Sequence, residues 1–214
     1  MPFTKHAVDT FISDKITKVT ACNAADLYLE FPDAKNWLSG FGLMVIFNDQ
    51  PPENRRHFAW QFLRRAEMAL AEYSLAREAL QNLLSGNRGR WSPYFHALTH
   101  FETALAQLYQ ALDSYRKLSK RNLFESNDDS VEDRLNKIYN ISKHQLTTGD
   151  QLVWISDSGV ETAVAAISYV EIEELLRSLA RVATKLSSST SPTASKTAEP
   201  ADEVDRAGIA IFEG

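Results

Sequence analysis

Cysteine is almost missing from this sequence: Cys22 is the single thiol among 214 residues. One cysteine makes no intramolecular bridge, so the fold cannot rest on disulfides, and a reducing cytoplasm is the natural setting. Cys22 itself reads as a small buried hydrophobe rather than a nucleophile. Long apolar runs are lacking as well. The longest, FGLMVIF from Phe41 to Phe47, has about a third of the ~20 residues that a membrane helix needs. The opening stretch, MPFTKHAVDTFISDKITKV, breaks its apolar residues with polar ones and so lacks the apolar core of a secretory signal. The expectation is a soluble, cytoplasmic protein with no membrane contact. Nor is there an excess of positive charge. The 23 Lys and Arg are outnumbered by 28 Asp and Glu, a formal charge of −5, which argues against a dedicated DNA-binding protein while leaving room for a local basic patch.

Chemical motifs are equally sparse. There is no glycine loop to cradle phosphates, no nucleophile elbow and no dinucleotide fingerprint. A di-metal carboxylate bundle needs paired Glu-x-x-His motifs on facing helices, and the chain has none. His96 and His100 stand four apart in HALTH, a spacing that can present two imidazoles to one metal. Ala97 occupies the place of the glutamate that zinc hydrolysis of this kind requires. The two read as surface histidines, and no metal or cofactor is expected. No repeat of 20–50 residues is visible.

What the chain does have is helical periodicity. Val8, Phe11, Ile12, Ile16 and Val19 form a first amphipathic stripe. Between Pro32 and the Pro51-Pro52 pair, NWLSGFGLMVIF reads as a short buried helix. Phe58, Phe62, Ala66, Ala69, Leu70, Tyr73, Ala76, Leu80, Leu83 and Leu84 then trace a long stripe that SGNRG terminates. Ser92 and Pro93 open a second long helix as cap and first-turn proline, with Phe95, Leu98, Phe101, Leu105, Leu108, Leu112 and Tyr115 along its apolar side. Two long helices joined by a short glycine turn lie antiparallel and need further helices to cover them. The connector RNLFESNDDS ends in Asp and Ser residues able to cap a third, carrying Val131, Leu135, Ile138, Ser142 and Leu146. In LVWISDSGVETAVAAISY, β-rich runs flank Asp157-Ser158-Gly159, the mark of a hairpin. Ser168 and Glu171 make the capping box of a last helix, with Val170, Leu175, Leu179, Val182 and Leu186 on one side.

The predicted fold is therefore mainly α: an antiparallel bundle of four or more helices with a small β-hairpin-like insertion and a disordered C-terminal tail. Residues 1–52 supply the first helix and an irregular packing segment, 53–186 the bundle body in the same domain, and 187–214 the tail. The tail is too rich in Ser, Thr and Pro to offset its ordering entropy. Its last apolar cluster, GIAIF from Gly208 to Phe212, is expected to be inert, with a short docking segment as the alternative.

Two groups of residues are candidates for contact or chemistry. Arg116, Lys117, Lys120 and Arg121 form the densest basic cluster, RKLSKR, able to meet nucleic acid or a partner, although cations at a helix C-terminus also simply complement the macrodipole. The four tryptophans, Trp37, Trp60, Trp91 and Trp154, lack interleaved basic residues and read as packing. The second group lies in RLNKIYNISKHQL. At about 100° per residue, Lys137, Asn140 and His144 fall nearly opposite the apolar side of their helix. A solvated face supplies such residues anyway. They gain chemical meaning where a second subunit packs there and dries the groove.

The spacing of these three resembles the HEPN superfamily, small helical bundles that commonly dimerise and, in active members, cut RNA without metal. The family signature is an arginine, usually followed by a polar residue, with a histidine a short distance later in a late helix. Here six residues separate Lys137 from His144, and YNISKH looks like the N-x-x-K-H variants of some HEPN-like bundles. The resemblance covers residues 53–186. It implies His144 as general acid and base on the ribose hydroxyl or leaving oxygen, Lys137 steadying the phosphate, and Asn140 orienting either. Three features depart from the pattern. Lys137 is a compact charge where a planar fork would bind phosphate, Ile138 fills a position usually polar, and the hairpin has no counterpart. The expectation is a HEPN-like binding or accessory protein, a homodimer with a possible protein or RNA partner and without strong catalytic activity. A metal-independent, toxin-like endoribonuclease is the alternative, and an adaptor using tail or hairpin as its contact is the second.

Overall fold

The computed structural model describes residues 27–48, 51–85, 91–148 and 152–188. The expected first helix and Cys22 lie outside them, as does the expected C-terminal tail apart from its first two residues, Ser187 and Ser188, which continue the last helix instead. A one-turn helix α1 (Leu27–Glu30) passes through a 3-10 turn (Ala34–Asn36) into α2 (Trp37–Asn48). The long helices α3 (Glu53–Ser85) and α4 (Trp91–Ser119) follow, then α5 (Val131–Thr148). Strands β1 (Trp154–Ile155), β2 (Gly159–Glu161) and β3 (Ala166–Ser168) precede α6 (Tyr169–Ser188). The architecture is mainly α with a small antiparallel sheet.

The α3–α4 pair is the spine. Its antiparallel sense shows in the contacts: Phe62 meets Tyr115 with ring centroids 5.6 Å apart, Arg65 reaches Gln107 at 2.7 Å, and Tyr73 meets Phe101 at 5.9 Å. Most of the α3 stripe is buried as expected, from Phe62 through Ala66, Leu70, Tyr73 and Ala76 to Leu80, with Ala59 and Leu63 joining it. The helices α5 and α6 cover the pair, and α2 packs on α6 and α3. One continuous core results, running from Leu27 to Ala183. No helix among the described residues is long and apolar enough to cross a membrane.

Two residues of the expected stripes face outward instead. Phe95 and Val170 are about half exposed, and the neighbouring Tyr94 and Tyr169 are buried in their place. The reason is shared: each tyrosine is apolar along its body and polar at its tip, and each tip bonds the sheet's backbone. The Tyr94 hydroxyl accepts the Ile155 N–H at 3.3 Å, and the Tyr169 hydroxyl donates to the Ser156 carbonyl at 2.8 Å. A one-residue turn of each helix follows.

The expected hairpin has a third strand. β1 pairs with β2 through Ile155 and Val160, and β2 pairs with β3 through Val160 and Ile167. The turn closes with the Ser156 N–H on the Gly159 carbonyl at 2.9 Å. Glycine is required at 159, because a Cβ there would stand 2.0 Å from the Ile167 carbonyl oxygen. Any larger residue would push β3 off β2.

The helix expected in residues 36–47 forms as α2, but it is buried on one side only. Trp37, Phe41 and Met44 face α3 and α6, whereas Leu43, Ile46 and Phe47 are 53, 74 and 76% exposed. Neighbours exist on the inner side alone among the described residues.

The capping box of α6 is built as its sequence suggests. The Glu171 N–H donates to Ser168 Oγ at 3.2 Å, and the Glu171 carboxylate accepts the Ser168 N–H at 2.9 Å. Arg134 of α5 adds a donor to the same carboxylate at 2.6 Å and holds the Ala166 carbonyl at 2.9 Å, joining α5, β3 and α6. Burial raises the pKa of Glu171, but the Arg134 and Ser168 donors outweigh it and hold the carboxyl below its usual value. The charged form thus contributes stability above the ordinary carboxylate range, and that contribution is lost as pH falls through the lowered value. Glu171→Gln should cost about 1 kcal/mol at neutral pH, a figure kept modest because the pair is partly solvated. Denaturation of the variant and wild type at descending pH should show the gap closing through the carboxylate range. A gap independent of pH would contradict the assignment.

Candidate functional site

The α5 residues singled out from sequence are placed by the start of their helix. Ser130 caps it, its Oγ accepting the Asp133 N–H at 3.2 Å. Asp133 is only 2% exposed, and its carboxylate accepts the Asn127 N–H at 3.1 Å. Asn127 and Asp129 adopt left-handed backbone angles to make this loop, a conformation that Asn and Asp tolerate better than most residues. Lys137, one turn on, brings its Nζ to 2.7 Å from Asp133 Oδ2. That ammonium, with the Asn127 amide, holds the Asp133 carboxyl below its ordinary pKa against the opposing effect of burial.

This pairing decides what Lys137 can do. Asp133 lies one turn toward the helix start, so the ammonium is drawn away from His144, which lies two turns the other way, about 10 Å along the axis. Asn140 is exposed and donates to Asn136 Oδ1 at 3.1 Å. His144 is exposed at the surface beside Lys143. Within one chain the three form a ladder along α5 rather than a ring around one reacting atom. Arg134, the nearest arginine, is committed to Glu171 and the Ala166 carbonyl. Ser142, expected on the apolar side, is half-buried and donates to Glu102 at 3.1 Å. Ile141 is buried beside Leu135 and Ile138.

The basic cluster is also largely paired. Arg116 and Lys117 both clasp Asp113, at 2.8 and 2.6 Å. Burial raises the pKa of Asp113, and the two cations more than reverse this, leaving the carboxyl below its usual value. Lys120, the residue just after α4, takes a left-handed conformation, φ 60°, with its side chain exposed, and Arg121 follows, half-buried. A small cavity of about 50 Å³ sits beside Arg116 and Asp113, walled by Tyr109, Leu112, Leu123 and Phe124. Tyr109 in turn stacks on Tyr139 of α5 at 4.5 Å. Its dimensions suit a water molecule more than a substrate.

His100 turns toward Glu72, with Nδ1 2.8 Å from the carboxylate, and His96 is exposed. No group of three or more His, Cys, Asp or Glu side chains comes together to hold a metal among the described residues.

The feature that sequence reasoning missed is the outer side of α2. Its twelve residues, WLSGFGLMVIFN, include no charge. A helix apolar all round is ordinarily enclosed, yet Leu43, Ile46 and Phe47 are presented together at i, i+3, i+4 spacing. Trp60 of α3, 47% exposed, carries the apolar surface across, its ring 6.4 Å from that of Phe41. The signal was available: the absence of charge on any face of the helix is visible in the sequence. Its exposure was not, because that depends on which elements pack nearby.

These placements separate structural from peripheral roles on α5. Lys137→Ala removes the cation from a buried carboxylate and should lower the melting temperature, while His144→Ala, at an exposed position, should leave it nearly unchanged. Thermal unfolding of both variants checks this. Equal melting of the two would show that the Lys137 pair adds nothing to the fold.

Comparison with known proteins yields no match to any family model, curated protein or solved structure.

Proposed function

We propose that this chain is a HEPN-like helical bundle that works as a cytoplasmic binding or accessory protein, assembled as a homodimer and without strong catalytic activity. The observation that carries this reading is the uncharged outer face of α2, where Leu43, Ile46 and Phe47 stand exposed together beside Trp60. Monomeric proteins seldom leave such a cluster in water, and large aromatic and aliphatic side chains at a patch centre are what protein interfaces use. A second copy of the chain suits the surface. An uncharged helix face can pack against itself about a two-fold axis without bringing like charges together. Small apolar surfaces of this type favour proteins over RNA, which would call for a solvated basic groove. Each half of the interface would then rest on a scaffold already rigid, since the inner side of α2 is packed on α3 and α6.

The alternative, a metal-independent endoribonuclease, draws support from the exposure of His144 on α5. Against it stand the lysine in the arginine position and the commitment of that lysine to Asp133. Two measurements separate the readings. Sedimentation equilibrium should show a dimer that Phe47→Asp and Ile46→Glu convert to monomer and that His144→Ala does not. Single-stranded RNA in excess chelator should remain uncut by the purified protein. Cleavage lost in His144→Ala would favour the nuclease, because general acid–base assistance is worth roughly 10²–10⁴-fold and its removal is easily seen.

A further inference from the structure

The last helix ends against the α2 surface. A Cβ at Gly40 of α2 would stand 2.9 Å from the Ser187 carbonyl oxygen, so the chain leaves α6 at Ser188 in contact with α2. Gly40, Leu43 and Phe47 follow one another at i, i+3, i+7 and therefore share a side of the helix. The remaining chain thus starts beside the exposed row, and Phe47 is about 10 Å further along the axis.

The 26 residues from Ser189 to Gly214 contain one apolar cluster, GIAIF at Gly208–Phe212. Nineteen residues, 189–207, separate it from α6. A linker of that length has a root-mean-square span of roughly 24 Å, more than enough to return the cluster to Leu43, Ile46 and Phe47. Charge favours the same placement. Four acidic residues, Glu199, Asp202, Glu203 and Asp205, and one basic one, Arg206, precede the cluster, and Arg56, which also donates to the Pro51 carbonyl, and Arg64 stand one turn on either side of Trp60 on α3.

We propose that the C-terminal segment Gly208–Phe212 docks on the outer face of α2 in its own chain, seating Ile209, Ile211 and Phe212 against Leu43, Ile46 and Phe47, and so competes with the second copy for that face. This rests on the reading of α2 as the dimer surface. A tether of this length presents its segment at an effective concentration in the millimolar range, which suffices for a weak five-residue contact to be substantially occupied while remaining displaceable. Both copies must release their segments to dimerise, so the penalty on dimer affinity is the square of the free fraction.

The test compares the full chain with one ending at Ala207, and each with its Phe47→Asp variant. Sedimentation equilibrium should show the shortened chain dimerising with a Kd at least about fivefold lower than the full chain, and Phe47→Asp abolishing the dimer in both. Binding of an apolar-surface dye, measured at concentrations where the protein is monomeric, should rise several-fold on shortening and fall again with Phe47→Asp. Phe212→Asp in the full chain should reproduce the shortened chain. Equal Kd and equal dye binding with and without residues 208–214 would overturn the proposal while leaving the dimer reading intact. Absence of a dimer in every form, with dye binding still raised by shortening, would overturn the dimer reading and leave the docking in place. If dye binding rises only in Phe11→Asp and not on shortening, the N-terminal stripe is the occupant and the proposal fails.

Discussion

Glu173 is a carboxylate with 4% of its surface exposed, enclosed between α6 and α3. A buried charge is tolerable only with partners, and among the described residues it has two: the Tyr73 hydroxyl donates at 2.9 Å and Arg177 Nη2 lies at 3.3 Å. Arg177 continues to Glu30 of α1 with two bonds, at 2.9 and 3.0 Å. Three helices are therefore locked in register by one group that cannot be left unpaired. Because this fixes α6 along α3, it also fixes where α6 ends, and Ser187 comes to rest against Gly40. The inner side of α2 is held by that contact, and its uncharged outer side is left facing away from the body.

Polar pairing does similar work at the starts of α5 and α6. Lys137 and Arg134 lie one turn apart on α5, and both are turned inward to carboxylates that cap helices: Asp133 at the start of α5 and Glu171 at the start of α6. Each carboxylate also meets the positive end of a helix dipole. The cations that would most readily serve a phosphate are thereby used to fix helix starts. His144 stands exposed on α5 about 10 Å along the axis from Lys137, whose ammonium is committed to Asp133 in the opposite direction.

Much of this fold is legible in the sequence because its signals are local. The α3 and α4 stripes, the Ser130 cap and the Ser168–Glu171 box each depend on residues within a few positions of one another. The errors came where a distant partner decided the outcome. Tyr94 and Tyr169 displaced Phe95 and Val170 because their hydroxyls found the sheet's backbone, a partner some 61 residues away for Tyr94. The third strand escaped notice because the turn that makes it, closed by the Thr162 N–H on the Ala165 carbonyl, contains no glycine or proline to mark it. Glu173, in an otherwise apolar stripe, gave no hint that Tyr73, 100 residues earlier, would receive it. The ladder Lys137, Asn140, His144 was visible, but the direction of the lysine was set by Asp133, which sequence alone shows only as an acidic residue one turn away.

In the proposed dimer, two copies meet at the outer face of α2. Because the chain has one cysteine, Cys22, a Cys22→Ser background permits single thiols to report proximity. A cysteine at position 46, made by Ile46→Cys, should form a disulfide-linked dimer quickly under mild oxidation, since a residue near a two-fold axis meets its own copy. A cysteine placed on the outer face of α5 by Lys143→Cys should not. Rapid crosslinking of the α5 thiol with none at position 46 would contradict the account and place the dimer on the face that carries His144.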